Sequence, residues 1–323
     1  MIKKAELHVH LEGTIPPSLA HRLATRNRCT LPPGLIAADG ESYQYSDFLD
    51  FLKTYDKVAA LIHQPIDYYD ITFNYLKENA QKGAIYIEMM YSPDHAEQAS
   101  GIPSREHLEA IQKAIDDANH QHDIVGRIII TAVRHFGEQA AIKVAKQAIK
   151  DKLPCVVGFG LGGDEFNYRP RLFKTAYEIA SKNGFQCTVH AGEFADASYM
   201  IEAMDYLPID RIGHGVRGVD SPEVLSRLID KNIALEICPS SNIRLGLYEN
   251  LPAHPLHAFL EKGIKLSLNS DDPPFFSTTL AKEYDRVQGF LGYTDIQMNH
   301  FTQMAIDAAF ISPAEKKALH SKI

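Results

Sequence analysis

The chain has 323 residues, with 33 Lys plus Arg against 41 Asp plus Glu, a net charge of −8 and a pI near 6.0. No segment supplies the basic face that a nucleic acid requires, so a polyanion partner is excluded and small molecules are expected instead. The length suffices for two average domains or one large α/β barrel, with an ample core that needs no disulfides.

Eight short apolar runs recur along the chain: Ala5–Val9, Ala84–Met90, Arg127–Val133, Cys155–Phe159, Phe185–Val189, Arg211–Gly213, Ala234–Ile237 and Lys265–Leu268. Each is nearly continuous in apolar residues, as expected of strands covered on both faces. Several follow a glycine that closes a helix, as at Lys82-Gly83, Asn183-Gly184 and Lys262-Gly263. This alternation predicts one (β/α)8 TIM barrel over residues 1–323, with its site built from loops at the carboxyl ends of the strands.

The first run leads into His8-Val9-His10. In extended backbone the two imidazoles point to one side and Val9 to the other, as a metal-holding pair requires. About seventy residues then separate the first two strands, far more than an ordinary connection. We read 15–82 as a helical lid insertion, with Ser46 capping a helix over 47–62 and Pro65 opening a second that ends near Gly83. Phe48, Leu49 and Leu52 on the first of these are expected to cover a flat ring.

Polar residues cluster after the later runs: Gly162-Gly163-Asp164, His190-Ala191-Gly192-Glu193, His214 and Asp271-Asp272. His135 after the third strand either lines the pocket or caps a turn, and Cys238-Pro239-Ser240-Ser241-Asn242 is read as a loop-shaping turn. Two adjacent carboxylates facing imidazoles on a barrel rim would be costly without a cation. His8, His10, His190 and Asp271 therefore suit one zinc-like ion with a water beside them. The fourth run leads to no lysine that could bridge two ions, so one metal per chain is expected. Such an ion makes hydroxide available near neutral pH. His214 and Asp272 are placed to handle the water's proton, and Glu193, protonated in a dry pocket, to donate one.

These motifs resemble the adenosine deaminase family: His8-Val9-His10-Leu11-Glu12-Gly13, Gly163-Asp164-Glu165, His190-Ala191-Gly192-Glu193, Gly213-His214-Gly215 and Ser270-Asp271-Asp272-Pro273 occur in its order. The resemblance implies zinc on His8, His10, His190 and Asp271, and metal-bound hydroxide attacking the purine carbon that bears the amino group. It implies Glu193 as donor to ring nitrogen N1, and His214 as helper in deprotonating the water that Asp272 orients. Gly163 would donate its N–H to N3, with His10, Glu12 and Asp272 also around the substrate. Adenosine deaminases carry aspartate where Glu12 stands, at the ribose hydroxyl. Adenine deaminases share the glutamate but carry aspartate where Gly213 stands. Gly213 tips the reading to adenosine and 2′-deoxyadenosine, with adenine or another 6-aminopurine as the alternative.

Another amino-heterocycle or amide hydrolase, and a catalytically dead purine-binding barrel, are the rival readings. The His-X-Glu and Pro-Cys-X-X-Cys signature of small zinc deaminases is missing. Cys29, Cys155, Cys187 and Cys238 form no Cys-X-X-Cys pair, and the last three sit in apolar runs where free thiols pack as small hydrophobes. With no apolar leader before Lys4-Ala5-Glu6-Leu7 and no run fit to cross a bilayer, we expect a soluble cytoplasmic protein without a membrane partner. Oligomeric state leaves no mark in the sequence.

Overall fold

The computed structural model describes residues 2–323. Its eight parallel strands are β1 (Lys4–Glu6), β2 (Ala84–Tyr91), β3 (Val125–Val133), β4 (Val156–Gly162), β5 (Gln186–Ala191), β6 (Arg211–His214), β7 (Ala234–Ile237) and β8 (Leu266–Leu268), paired in chain order. Helices follow the strands and cover the outside, so the fold is a (β/α)8 TIM barrel. Every residue of β2 is buried, the result expected when barrel-filling side chains lie on one face and helices on the other.

Closure of the barrel differs from the rest of it. No ladder joins β8 to β1; a parallel bridge pairs Val9 with Asp271 instead. His10 N–H donates to the Asp271 carbonyl at 3.0 Å, Asp271 N–H to the His8 carbonyl at 3.3 Å, and Leu7 N–H to Asn269 Oδ1 at 2.8 Å. β1 ends at Glu6, so His8 and His10 lie past the strand rather than at its tip. The flanking bridges Val9–Asp271 and His10–Met90 prolong the extended pairing, which keeps the two imidazoles on one side. The seam of the barrel thus brings positions 8, 10 and 271 together.

Between β1 and β2 lie three helices: α1 (Pro17–Asn27), which the sequence reading missed, α2 (Phe48–Ala59) and α3 (Pro65–Gln81). The N-cap of α2 is Asp47, whose carboxylate accepts from Asp50 N–H at 3.0 Å, and not Ser46, whose hydroxyl turns to Asp50 at 3.3 Å. A carboxylate caps well and also meets the positive end of the helix dipole. Pro65 opens α3 beside a Gln64–Asp67 capping box. α3 packs on the helix Ser104–His122 and is tied to α1 by Arg26, which reaches Asp67 at 2.7 Å and Asp70 at 2.5 Å. Only α2 supplies helical residues of this segment to the central cavity. No helix among the described residues is long and apolar enough to cross a membrane.

Candidate metal centre and active site

Four expected donors meet at the seam. His10 Nε2 and His190 Nε2 are 3.3 Å apart, and Asp271 Oδ1 is 3.4 Å from both His8 Nε2 and His10 Nε2. Separations of that length match the edge of a tetrahedron whose centre lies about 2.0–2.1 Å from its corners, the reach of a zinc–nitrogen bond, and His8, His10 and His190 together form one potential ligand group. His190 Nδ1 faces the Leu161 carbonyl at 3.0 Å and His8 Nδ1 the Glu236 carboxylate at 2.8 Å. Both rings therefore turn their Nε2 inward, and His8 Nε2 is buried without a hydrogen-bond partner. Burial pulls His8 down, yet the neighbouring carboxylates of Asp271 and Glu236 outweigh that and raise it to about 10. The donor set attracts positive charge, and it fits zinc.

Cys238 Sγ lies in a second potential ligand group with His8, His214 and Asp271, a closeness the sequence reading did not foresee. Its thiol is already turned to the Glu236 carbonyl at 3.7 Å, two residues back along the chain. We assign Cys238 to packing. All four cysteines are free.

Two of the expected donor positions, His8 and Asp271, are braced from behind. Glu236 joins His8 to Thr188 Oγ1 at 2.9 Å and to Arg211 Nε at 2.6 Å, and Arg211 continues to Glu88 at 2.5 Å. Glu6 accepts from the N–H and hydroxyl of Ser270 at 2.7 and 2.6 Å and from Tyr75 at 2.6 Å, fixing the residue before Asp271 to β1. Asp271 (φ 62°) and His214 (φ 58°) hold left-handed backbone uncommon outside glycine, which their surroundings must stabilise. The sequence reading passed over Glu6, Glu88 and Glu236. Their signal was a lone carboxylate inside an otherwise apolar strand, which buried structure tolerates only when partnered.

The groups expected to handle protons lie beside these donors. Glu193 Oε2 lies 3.6 Å from His214 Nε2, which is 4.0 Å from Asp271 Oδ2. Burial, then the charge of Asp271, raises Glu193 well above the usual carboxylate range, which favours the form that can donate a proton. Its loop is organised by Glu165, a motif residue whose carboxylate accepts backbone N–H bonds from Gly192, Glu193, Phe194 and Ala195. Asp272 is raised by burial and by Asp271, and its Oδ1 is buried without a partner. Gly13 explains how Asp272 fits: a Cβ there would sit 1.7 Å from Asp272 Oδ1.

A cavity of about 850 Å³ opens over these groups. His10, His190, Glu193, His214, Asp271 and Asp272 line it, together with Gly163, His135 and Phe48, Leu49 and Leu52 of α2. The structure thus brings His135 into the cavity wall. Gly163 has φ 96°, and a Cβ there would meet His135 Nδ1 at 3.0 Å, so this wall approaches the ligand space as backbone. Glu12 stands apart, outside the lining and 2% exposed. Tyr68 donates to one of its oxygens at 2.8 Å and Tyr55 to the other at 3.2 Å, with Tyr55 itself facing the cavity. A Cβ at Gly213 would meet His8 Cε1 at 2.8 Å and His190 Nδ1 at 3.4 Å, so this position faces those two imidazoles.

The adenosine deaminase family model matches residues 3–323. The adenine deaminase of Sinorhizobium medicae (strain WSM419) is 38% identical over 318 residues, covering 98% of this chain and 97% of the relative. That of Chelativorans sp. (strain BNC1) is 38% identical over 323 residues, covering 100% and 98%. Among solved structures, the adenine deaminase from Arthrobacter aurescens superposes with a TM-score of 0.92 at 30% identity, covering 100% of this chain and 98% of that one. Matched along its length by the model and by these relatives, the chain belongs to the adenosine deaminase family, hydrolases that act on C–N bonds.

Proposed function

We propose that the protein is a zinc-dependent deaminase of a free 6-aminopurine base, converting adenine and water to hypoxanthine and ammonia. The observation that carries the chemistry is the gathering of the His8, His10 and His190 imidazoles, with Asp271 3.4 Å from His8 and His10, beside a cavity that Glu193 lines. His8, His10, His190 and Asp271 would hold one zinc per chain. Bound there, zinc lowers the pKa of a water toward about 7.

The remaining steps belong to side chains. Asp272, whose ionisation is opposed by burial and by Asp271, becomes a usable base once positive charge beside it offsets that repulsion. Glu193 gives its proton to a ring nitrogen as oxygen adds to the adjacent carbon, drawing electrons away from that centre. Asp272 passes the proton it took from the water to the amino group, the C–N bond breaks to release ammonia, and the hydroxyl proton restores the Glu193 carboxyl group as the carbonyl forms. Phe48, Leu49 and Leu52 would lie against the purine, and the backbone at Gly163 would meet its edge. We place this chemistry in the cytoplasm, in keeping with four free cysteines.

The choice of base over nucleoside rests on Glu12. The carboxylate expected at the sugar end is sealed behind Tyr55, both oxygens already accepting from tyrosines, so a ribose hydroxyl meets a phenol ring instead. Relatives named adenine deaminase agree with this. The expectation of adenosine drew on Gly213, which faces His8 and His190 and cannot read a sugar. The test is catalytic efficiency on adenine, adenosine and 2′-deoxyadenosine, with metal content measured on the same sample. Adenine should lead by at least about 100-fold, the discrimination available when a polar contact is denied. Preferential turnover of adenosine would refute the substrate, and absence of stoichiometric zinc the cofactor.

A further inference from the structure

The turn after β7, read from sequence as loop-shaping, carries a hydrogen-bond chain that ends on His214. Pro239 opens the short helix Pro239–Arg244 directly after the strand, which lodges Asn242, fully buried, beneath the His214 ring. Asn242 Nδ2 is 3.3 Å from His214 Nδ1. Its Oδ1 is 3.1 Å from His254 Nε2, and His254 Nδ1 accepts the backbone N–H of Leu256 at 3.2 Å. His254 is 3% exposed, and His214 1%.

The direction of every bond in this chain follows from its far end. A backbone N–H can only donate, so His254 Nδ1 must be the bare nitrogen and Nε2 the one that carries the proton. That Nε2–H requires an acceptor, which orients the Asn242 amide with its oxygen toward His254 and its NH2 toward His214. His214 Nδ1 then accepts. The neutral ring has one proton left to place, and it sits on Nε2, the nitrogen turned toward Glu193 and Asp271.

We propose that Asn242 and His254 are positioning residues that lock His214 in its Nε2–H tautomer, making it a hydrogen-bond donor to the attacking oxygen rather than the base that deprotonates it. This rests on the deaminase reading and refines it. One proton of the attacking water goes to Asp272, and the Nε2–H of His214 stabilises the negative charge this leaves on the oxygen; the oxygen then bonds to the purine carbon, whose C=N electron pair moves to the ring nitrogen as that nitrogen takes the Glu193 proton. His214 gains and loses no proton in the step.

The test pairs imidazole nitrogen NMR with kinetics, on zinc-loaded enzyme. In the unmodified protein His214, identified by the signal lost in His214→Asn, should show a protonated Nε2 and a bare Nδ1. A protonated Nδ1 overturns the proposal, and this reading needs no folded positional variant. Asn242→Asp keeps the shape but offers His214 Nδ1 an acceptor, so the tautomer should reverse. kcat on adenine should then fall by about 10²–10⁴-fold, the range for loss of a correctly protonated catalytic group, with KM and zinc content nearly unchanged. A folded Asn242→Asp enzyme that retains the parental kcat also overturns it. If the unmodified protein deaminates no 6-aminopurine, the function fails while the NMR reading still decides the tautomer.

Discussion

Glu236→Gln probes the bracing behind the metal donors with a change of one atom. Glu236 Oε2 receives His8 Nδ1–H at 2.8 Å, while Oε1 receives Arg211 Nε–H at 2.6 Å and the Thr188 hydroxyl at 2.9 Å. An amide must present its NH2 to one side or the other. Facing His8, it forces the imidazole proton onto Nε2, the atom required for zinc. Facing Arg211, it opposes a guanidinium N–H that cannot turn round, beside a cation that is 1% exposed. Loss of one member of a buried pair costs about 3–5 kcal/mol. Unfolding entropy of about 2.1 cal/mol/K per residue over 323 residues makes each kcal/mol worth roughly 1.5 °C, so Tm should fall by about 4–7 °C. Zinc affinity should fall by about 10–100-fold, the usual effect of losing a group that orients a ligand. Chelator competition and thermal unfolding read the two effects separately. If the variant matches the parent in both zinc affinity and Tm, Glu236 does not hold His8.

Gly13→Ala places a methyl group 1.7 Å from Asp272 Oδ1, so Asp272 must leave its position and kcat should fall by about 10²–10⁴-fold while zinc is retained. Zinc analysis and steady-state kinetics on one preparation check this, and a fully active variant would show that Asp272 is dispensable. Glu165→Gln removes an acceptor from the backbone donors at 192–195 and should lower kcat by at least about tenfold by releasing Glu193; unchanged kcat would dissociate the two glutamates. Dialysis against a chelator should abolish deamination and added zinc restore it, while activity that survives in metal-free protein would refute a metal-dependent reaction. Burial lowers His107 from 6.5 to about 4. The unfolded chain therefore binds more protons between those values, and stability falls as pH drops through that window by up to about 3 kcal/mol, at ~1.4 kcal/mol per pH unit. In denaturant titrations His107→Gln should have a shallower dependence between pH 6.5 and 4, and parallel curves would exclude His107 as the source.

Much of this molecule is legible in one dimension because the signals are local. Apolar runs such as Ala84–Met90 and Ala234–Ile237 can only be strands covered on both faces, and eight of them alternating with helices admit few architectures other than the barrel. The candidate metal donors are legible for a related reason. Strand ends collect at one rim, so His190, His214 and Asp271 are near His8 and His10 whatever the side-chain detail. The helix α1 escaped because no strong cap marks its start beyond Pro16-Pro17, and Ser46 was preferred over Asp47 because both are good caps one residue apart.

What the linear chain determined was composition by position: which segments are apolar throughout, and which chemical groups follow them. Only the folded arrangement decided how those groups are used. Glu12 and Gly213 are the clearest instances, since one looked like a sugar contact and the other like evidence for a nucleoside. In three dimensions Tyr55 and Tyr68, more than forty residues away in sequence, close over Glu12, and His8 occupies the space beside Gly213. Asn242 and His254 tell the same story. The direction of a hydrogen bond depends on which partner stands at each end, and partners brought together by chain closure leave no periodic trace in the residues between them.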